Sequence, residues 1–242
     1  MKHAVLLLVT AVAGSLCYAQ PVSPRKLADL ALTAGNRQGT AAFSYYQLYG
    51  IGKSKKIQIG AGLRVTGYMG TKKDFLTAGP ARYTRSFTAP FAIVFAGQRE
   101  ENFDTLTVQR PLAFSTNLAI YLGYRFSTRW EAGFNIDLIG FTLGRVSPAV
   151  LRSNGATTTV PESKLSGFNL LLTGDHDKGS LNSEFYLSYK VDNRWAVRGI
   201  YQFVFIEYRS GTALQTFSDG RVNSVFRNKA NTLGLGLTYS FH

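Results

Sequence analysis

Cysteine is almost missing: the 242 residues contain one, at position 17. A disulfide framework and a thiolate metal centre therefore lack their ligands. Histidine is also scarce, with three in the chain, and acidic residues are outnumbered, 14 against 27 Lys and Arg, for a formal charge of +13. Beyond residue 19 no apolar run approaches the ~20 residues a membrane-spanning helix requires, which excludes a helical bundle in the bilayer. What is present is 45% hydrophobic and 13% aromatic residues, too much apolar surface for a disordered chain. The length bounds the chain to one domain, or two.

The first 19 residues have their own composition. Met1, Lys2 and His3 make a short basic start, residues 4–16 are almost wholly apolar, and the small residues Cys17 and Ala19 flank a cleavage point before Gln20. This order predicts a cleaved secretory signal peptide over 1–19. A lipoprotein anchored through Cys17 is the competing reading, but Leu16 is large where acylation requires a small residue. The sequence from residue 20 on has no cysteine left to staple it.

Period-two alternation is the strongest remaining signal, and it marks strands with one apolar face. Over 57–69 the odd positions are Ile57, Ile59, Ala61, Leu63, Val65, Gly67 and Met69, and the even ones are Gln58, Gly60, Gly62, Arg64, Thr66 and Tyr68. At the end of the chain Leu233, Leu235, Leu237, Tyr239 and Phe241 alternate with Thr232, Gly234, Gly236, Thr238 and Ser240. Similar stretches occupy 117–126, 130–141, 181–190 and 195–206, with weaker ones at 27–35 and 40–51. That makes eight, each near the ~9–11 residues of a tilted membrane strand.

Connector lengths separate a membrane barrel from a soluble sandwich. The links at 52–55, 127–129 and 191–194 are very short, and those at 71–112, 145–180 and 210–227 are long. Structureless loops of that length are unusual in compact soluble domains, whereas outer-membrane barrels alternate short periplasmic turns with long external loops. The fold expected is all-β, an eight-stranded antiparallel up-and-down transmembrane barrel over 27–242 after a short periplasmic segment at 20–26, with both ends of the barrel domain in the periplasm if 27–35 is its first strand. A periplasmic β-sandwich is the alternative.

The aromatic residues mark one level. Both tryptophans follow a short turn, in Thr128-Arg129-Trp130 and Asn193-Arg194-Trp195. Tyr124, Phe126 and Tyr189 precede the turns, and Tyr239 and Phe241 end the last strand. Together they suit a girdle at a membrane boundary.

In these features the chain resembles the small outer-membrane β-barrels of the OmpA and OmpX type. The tail Gly236-Leu237-Thr238-Tyr239-Ser240-Phe241 looks like the C-terminal signal that the barrel assembly machinery reads in such proteins, with Gly236, Tyr239 and Phe241 as its elements; His242 after the final aromatic departs from the pattern. The resemblance implies the bacterial outer membrane as location, a monomer, and contact with the assembly machinery and with membrane lipid. It assigns no activity.

Register arithmetic across the short turns places polar residues in the lumen. Phe126 opposite Trp130 sets Arg125 against Glu131, and Tyr189 opposite Trp195 sets Tyr186 against Arg198, with Glu184 diagonal to it. Arg64, Asp137, Glu184 and Arg198, with Asn135, Asn182 and Gln202, then fall in one layer. A narrow barrel has room inside only for side chains, and buried charges need partners, so two basic and two acidic groups read as a neutralising plug. A gated pore is the functional alternative.

Catalytic and metal motifs are sparse, and no cofactor is expected. Asp175-His176-Asp177-Lys178-Gly179 has the alternating carboxylates of a calcium loop but lacks its twelfth-position Glu. A lipid A deacylase or acyltransferase would join His176 to Ser180 or Ser183 and Glu184, yet alternation turns Ser183 and Glu184 to opposite faces. The long loops carry Lys72, Lys73, Arg82, Arg85, Arg99 and Arg110 against Asp74, Glu100, Glu101 and Asp104, and Arg145, Arg152, Lys164, Arg209, Arg221 and Arg227 lie at or above the strand tops. Such a basic rim suits lipopolysaccharide phosphates, an ordinary solvated loop surface being the plainer reading. No nucleic-acid module is present. The apolar stretch from Phe87 to Gly97 is a candidate strand, hairpin or contact surface for an unidentified ligand. The expected role is structural or surface-binding, without enzymatic activity.

Overall fold

The computed structural model of the chain describes residues 24–86, 97–153, 155–172 and 177–241. In chain order its strands are β1 (Arg25–Gly35), β2 (Gln38–Ile51), β3 (Ile57–Gly70), β4 (Lys73–Thr77), β5 (Thr105–Val108), β6 (Leu112–Arg125), β7 (Trp130–Gly144), β8 (Ser147–Ser153), β9 (Ala156–Leu165), β10 (Phe168–Leu170), β11 (Leu181–Lys190), β12 (Trp195–Ser210), β13 (Gln215–Thr216), β14 (Val222–Asn223) and β15 (Val225–Phe241). A single helical turn, α1 (Ala81–Thr84), follows β4. The long strands pair antiparallel in the order β1, β2, β3, β6, β7, β11, β12, β15, and β15 returns to β1. The sheet is a closed antiparallel β-barrel, which leaves no free edge along this wall.

Its two faces invert the usual soluble arrangement. On β15 the outward Leu233 and Leu235 are 68% and 72% exposed, while Thr232, Thr238 and Ser240 point inward and are buried. Leu30, Leu32, Phe43, Leu63, Val65, Leu118, Leu122, Phe141, Phe185 and Val197 continue the apolar surface round the wall. A contiguous exposed apolar band of this size on a closed sheet demands an apolar solvent. Inside, glycines give bulky groups room: a Cβ on Gly133 would lie 2.2 Å from the Tyr186 hydroxyl and 2.4 Å from the Leu122 carbonyl oxygen.

The strand count departs from expectation, because the main sheet holds 13 strands rather than eight, and β13 and β14 form a separate pair. The long links are not structureless: β4 and β5 lie in the first, β8 to β10 in the second, β13 and β14 in the third. Four of the inserted strands, β4, β5, β8 and β9, fall into place because β12 and β15 rise beyond their neighbours. β15 continues onto β4, then the pairing runs through β5, β8 and β9 back to β12. This second cycle is filled by Phe75, Leu106, Val108, Leu151, Val160, Ile206, Tyr208 and Phe226, all buried. The lumen is thus polar within the wall and apolar at the loop end.

Two local registers carry the rest. Between Leu118 and Ala119 of β6 the partner skips from Ile139 to Asp137, so Leu138 is the extra residue of a bulge on β7, which switches the inward parity of β7 just above Asp137. In the β11–β12 hairpin the expected register is wrong by two residues: Tyr189 pairs with Val197 and Tyr186 with Ile200, so Ser188, not Tyr186, faces Arg198. The cause is the turn, where the Val191 and Asp192 amides both donate to the Trp195 carbonyl. A slip of two preserves every facing, so the lumen assignment survives it. The stretch over 1–19, residues 87–96, Asp175, His176 and His242 lie outside the described residues.

Candidate functional site in the barrel lumen

Three polar layers fill the wall. At the end bearing the short turns, the Glu131 carboxylate accepts from the hydroxyls of Tyr121 (2.5 Å) and Tyr186 (3.2 Å). Arg25 lies 3.2 Å and Arg125 3.6 Å from the same carboxylate. The three tyrosines Tyr46, Tyr121 and Tyr186 pack in series, with ring centroids 5.3 and 5.5 Å apart.

The middle layer centres on two guanidinium groups. Arg64, 0% exposed, is 3.1 Å from Asp137, donates to the Asn182 carbonyl at 3.1 Å and to the Tyr46 hydroxyl at 2.8 Å, and also donates to the Asn135 side-chain oxygen. Arg198 pairs with Asp29 and lies 3.5 Å from Glu184; its guanidinium also stacks 5.0 Å over the Tyr186 ring. Asn135 and Asn182 donate to the two Glu184 oxygens at 3.2 and 3.3 Å. Asp137 accepts from the Asn117 amide at 2.7 Å and the Asn182 backbone N–H at 3.0 Å.

Above it, one amide oxygen collects three hydroxyls. Gln202 Oε1 accepts from Thr33 (2.7 Å), Thr40 (2.9 Å) and Thr232 (2.9 Å). Each threonine comes from a different strand, so the contacts tie β1, β2, β12 and β15 across the barrel. Asn117 and Asn169 extend the network toward β10.

Of the residues expected in the lumen, Arg64, Asn135, Asp137, Asn182, Glu184, Arg198 and Gln202 are buried together, and Arg125 and Glu131 meet below them. The charge count differs from expectation. Asp29 is a third carboxylate of the middle layer, absent from the sequence-based set because β1 carries the weakest alternation. With Arg25 included, the described residues of these layers hold four arginines and four carboxylates, and Lys190 lies near Arg25, Arg125 and Glu131 at the short-turn end. Tyr46, Tyr121 and the threonine trio were also missed, since hydroxyl groups on an alternating face do not stand out from ordinary strand residues.

The aromatic girdle assembles at the short-turn end. Trp130 meets Tyr189 at 4.9 Å, Trp195 meets Tyr239 at 4.8 Å, and Tyr239 meets Phe241 at 5.1 Å between centroids. Tyr124 and Phe126 are exposed on the same outer surface. Gly236 lies inward beside Arg198, where a Cβ would approach its Nε to 3.2 Å. In the adjoining turn, Asp192 accepts from the backbone N–H of Arg194 and of Trp195, both at 2.7 Å. The Trp195 bond first and the Arg194 bond second hold the Asp192 carboxyl below its ordinary range.

At the loop end, Ser183 is on the outer side of β11 and half-buried, Glu184 is buried inside, and Ser180 is buried beside Asn169, to which its backbone N–H donates. Asp177 accepts from the Leu172 backbone N–H. Among the described residues no group of three His, Cys, Asp or Glu is placed to hold a metal ion. The arrangement suits occlusion: large side chains, each held by several partners from different strands, cross the lumen.

No protein-family model matches the chain, and no curated protein sequence does. Among solved structures, the chain is similar to Neisserial surface protein A, at 10% identity, 90% of this chain against 96% of that one, and a TM-score of 0.36. It is similar to Ail, the attachment invasion locus protein of Yersinia pestis, at 9% identity, 90% against 97%, and 0.31. A Pseudomonas aeruginosa FadL homologue follows at 12% identity, 85% against 68%, and 0.24. The β-barrel assignment rests on the strand pairings themselves and not on these likenesses.

Proposed function

We propose that the chain is an integral outer-membrane β-barrel protein whose membrane wall has eight strands, in the manner of the OmpA and OmpX type, and whose lumen is plugged. The carrying observation is the inversion of faces: a closed sheet exposes leucines and phenylalanines outward and buries the ion-paired Arg64 and Arg198 inward, with Arg25 and Arg125 half-buried at the short-turn end. Water on the outside would make this unfavourable, and lipid makes it favourable. The aromatic girdle sets the short turns at the periplasmic boundary, and the apolar second cycle then stands on the cell surface.

The role is structural or surface-binding rather than enzymatic or conductive. Supporting this, the Glu184 carboxylate is committed to Asn135, Asn182 and Arg198, and the polar plug is capped by a packed apolar core. Lipopolysaccharide is the proposed lipid partner and the barrel assembly machinery the proposed insertion partner. The test is twofold. Folded protein should run faster on a gel before boiling than after it, and in planar bilayers it should give no steady conductance. A reproducible nanosiemens channel defeats the plug, and solubility without detergent defeats the membrane.

A further inference from the structure

Two short turns at the same end of the wall share one arrangement. In the turn after β6, Ser127 Oγ accepts from the backbone N–H of Arg129 at 3.2 Å and of Trp130 at 3.0 Å. In the turn after β11, Asp192 takes the equivalent place and closes on Arg194 and Trp195. Each turn thereby fixes an arginine directly before the tryptophan that opens the next strand.

The side chains repeat as well. Trp130 is in register with Tyr189 of β11, and Trp195 with Tyr239 of β15. The ring pairs meet at nearly the same distance and angle, 4.9 Å and 59° against 4.8 Å and 63°. Over each pair the arginine folds back onto the phenol: Arg129 Nη1 donates to the Tyr189 hydroxyl at 3.0 Å, and Arg194 Nη1 to the Tyr239 hydroxyl at 3.5 Å. An exposed arginine samples many rotamers. Here two of them are each held in place by a clasp of tyrosine and tryptophan.

What each clasp offers is donors. The guanidinium has five N–H groups, of which the tyrosine takes one; the phenol that accepts from it keeps its own proton to give, and the indole N–H only donates. Among the described residues, none of these remaining groups has an acceptor, and neither arginine is in an ion pair. The Glu131 carboxylate, next to Trp130 in sequence, turns inward and is held by Arg25 and Arg125. The first turn has the neutral Ser127 where the second has Asp192, whose carboxylate already accepts from two backbone N–H groups.

The level of the clasps identifies the acceptor. Trp130 and Trp195 are exposed on the outer face, and the apolar band begins at the next outward positions, with Val197 on β12 and Leu237 on β15. Each guanidinium, one residue nearer the turn, therefore stands at head-group depth. The anion with several acceptor oxygens at that depth is the phosphate diester of a glycerophospholipid. A zwitterionic head group brings its own ammonium to that phosphate, whereas a net-anionic one leaves the charge for the arginine.

Building on the outer-membrane reading above, we propose that Arg129 with Tyr189 and Trp130, and Arg194 with Tyr239 and Trp195, are two binding sites for the phosphate of a net-anionic glycerophospholipid in the periplasmic leaflet. Arginine supplies the charge and the fork of donors, and the phenol and indole supply the flanking donors.

The test uses the full chain in bilayers that mix phosphatidylglycerol with phosphatidylcholine, one or the other carrying brominated acyl chains. Bromine quenches indole fluorescence on contact, and the two tryptophans of the chain are those of the clasps, so the signal is local. Phosphatidylglycerol should be enriched at the wild-type tryptophans by about twofold to fivefold, the scale of an exposed ion pair. Arg129→Gln with Arg194→Gln should lose most of that enrichment. Lys53→Gln with Lys56→Gln, which takes the same charge from the turn after β2, should keep it. Singly, Arg129→Gln should lose more than Arg194→Gln, because only the second turn has a carboxylate of its own. Millimolar inorganic phosphate should leave the quenching unchanged, and its loss would overturn the lipid as ligand. Equal enrichment in the wild type and a double arginine variant of normal gel mobility, or an equal loss in the lysine variant, overturns the clasps alone. Wild-type tryptophans that neither brominated lipid quenches overturn the membrane reading beneath them.

Discussion

Replacing Arg64 with Met tests the middle layer most severely. The change keeps much of the side-chain volume but removes the charge and every donor. Asp137 then loses its 3.1 Å partner, and the Tyr46 hydroxyl, the Asn135 amide oxygen and the Asn182 carbonyl each lose a hydrogen bond. Removing one member of a buried ion pair costs about 3–5 kcal/mol, chiefly because the other is stranded. With a urea slope of about 2 kcal/mol/M, the unfolding midpoint should fall by roughly 1.5–2.5 M. The assay is urea unfolding of micelle-folded protein followed by the fluorescence of Trp130 and Trp195, both on the wall. Arg64→Met with Asp137→Leu should recover part of the loss, since the stranded carboxylate goes too, with a coupling of about 0.5–3 kcal/mol. A single-variant loss below about 0.5 kcal/mol, the scale of an ordinary surface change, would refute the claim that this ion pair is desolvated.

Other consequences concern packing, titration and permeation. Gly133→Ala should destabilise by about 1–3 kcal/mol, because the new Cβ meets the Leu122 backbone as well as Tyr186; Gly199→Ala, with nothing within 4 Å, should change unfolding by less than about 0.5 kcal/mol. Asp192 has a lowered pKa in the folded state, so its contribution is present above its ordinary value of 3.8 and fades as pH falls through the folded value. Asp192→Ala should therefore be less stable than the wild type at pH 7, the two converging below pH 3.8; a pH-independent gap would contradict the turn geometry. Shortening the apolar core with Phe75→Ala, at a side chain packed 5.2 Å from the Tyr208 ring, should cost about 3–5 kcal/mol in the second cycle, measured as faster proteolysis of the loop end with gel mobility unchanged. If the whole barrel unfolds instead, the two cycles are one cooperative unit.

The wall was legible in the sequence because its two faces meet different surroundings. Lipid demands apolar side chains at Leu233, Leu235 and Leu237, and the lumen selects Thr232 and Thr238 between them, so alternation is nearly uninterrupted. The charged residues Arg64, Asp137, Glu184 and Arg198 were readable for the same reason. They break an otherwise small, neutral face at comparable distances from the turns. Asp29 escaped because the inward residues around it, Leu27 and Ala31, are as apolar as the outward ones. The second cycle was unreadable for a different reason. Its strands are short, and pairs such as Phe75 and Thr77 or Leu106 and Val108 give too few periods to stand out. β9 also carries Pro161 at the irregularity in its pairing with β8, where sheets tolerate proline but sequence patterns read a break.

Single cysteines read the central claim most directly, because the described residues contain none. A membrane-impermeant maleimide is applied to cells producing Arg221→Cys, Lys53→Cys or Leu235→Cys. The account predicts that Arg221→Cys, beyond the loop end, labels in intact cells, that Lys53→Cys labels only once the outer membrane is opened, and that Leu235→Cys, on the apolar band, labels only after unfolding. Labelling of Leu235→Cys in the folded protein, or of Lys53→Cys in intact cells, would contradict a barrel that spans the outer membrane with its short turns inside.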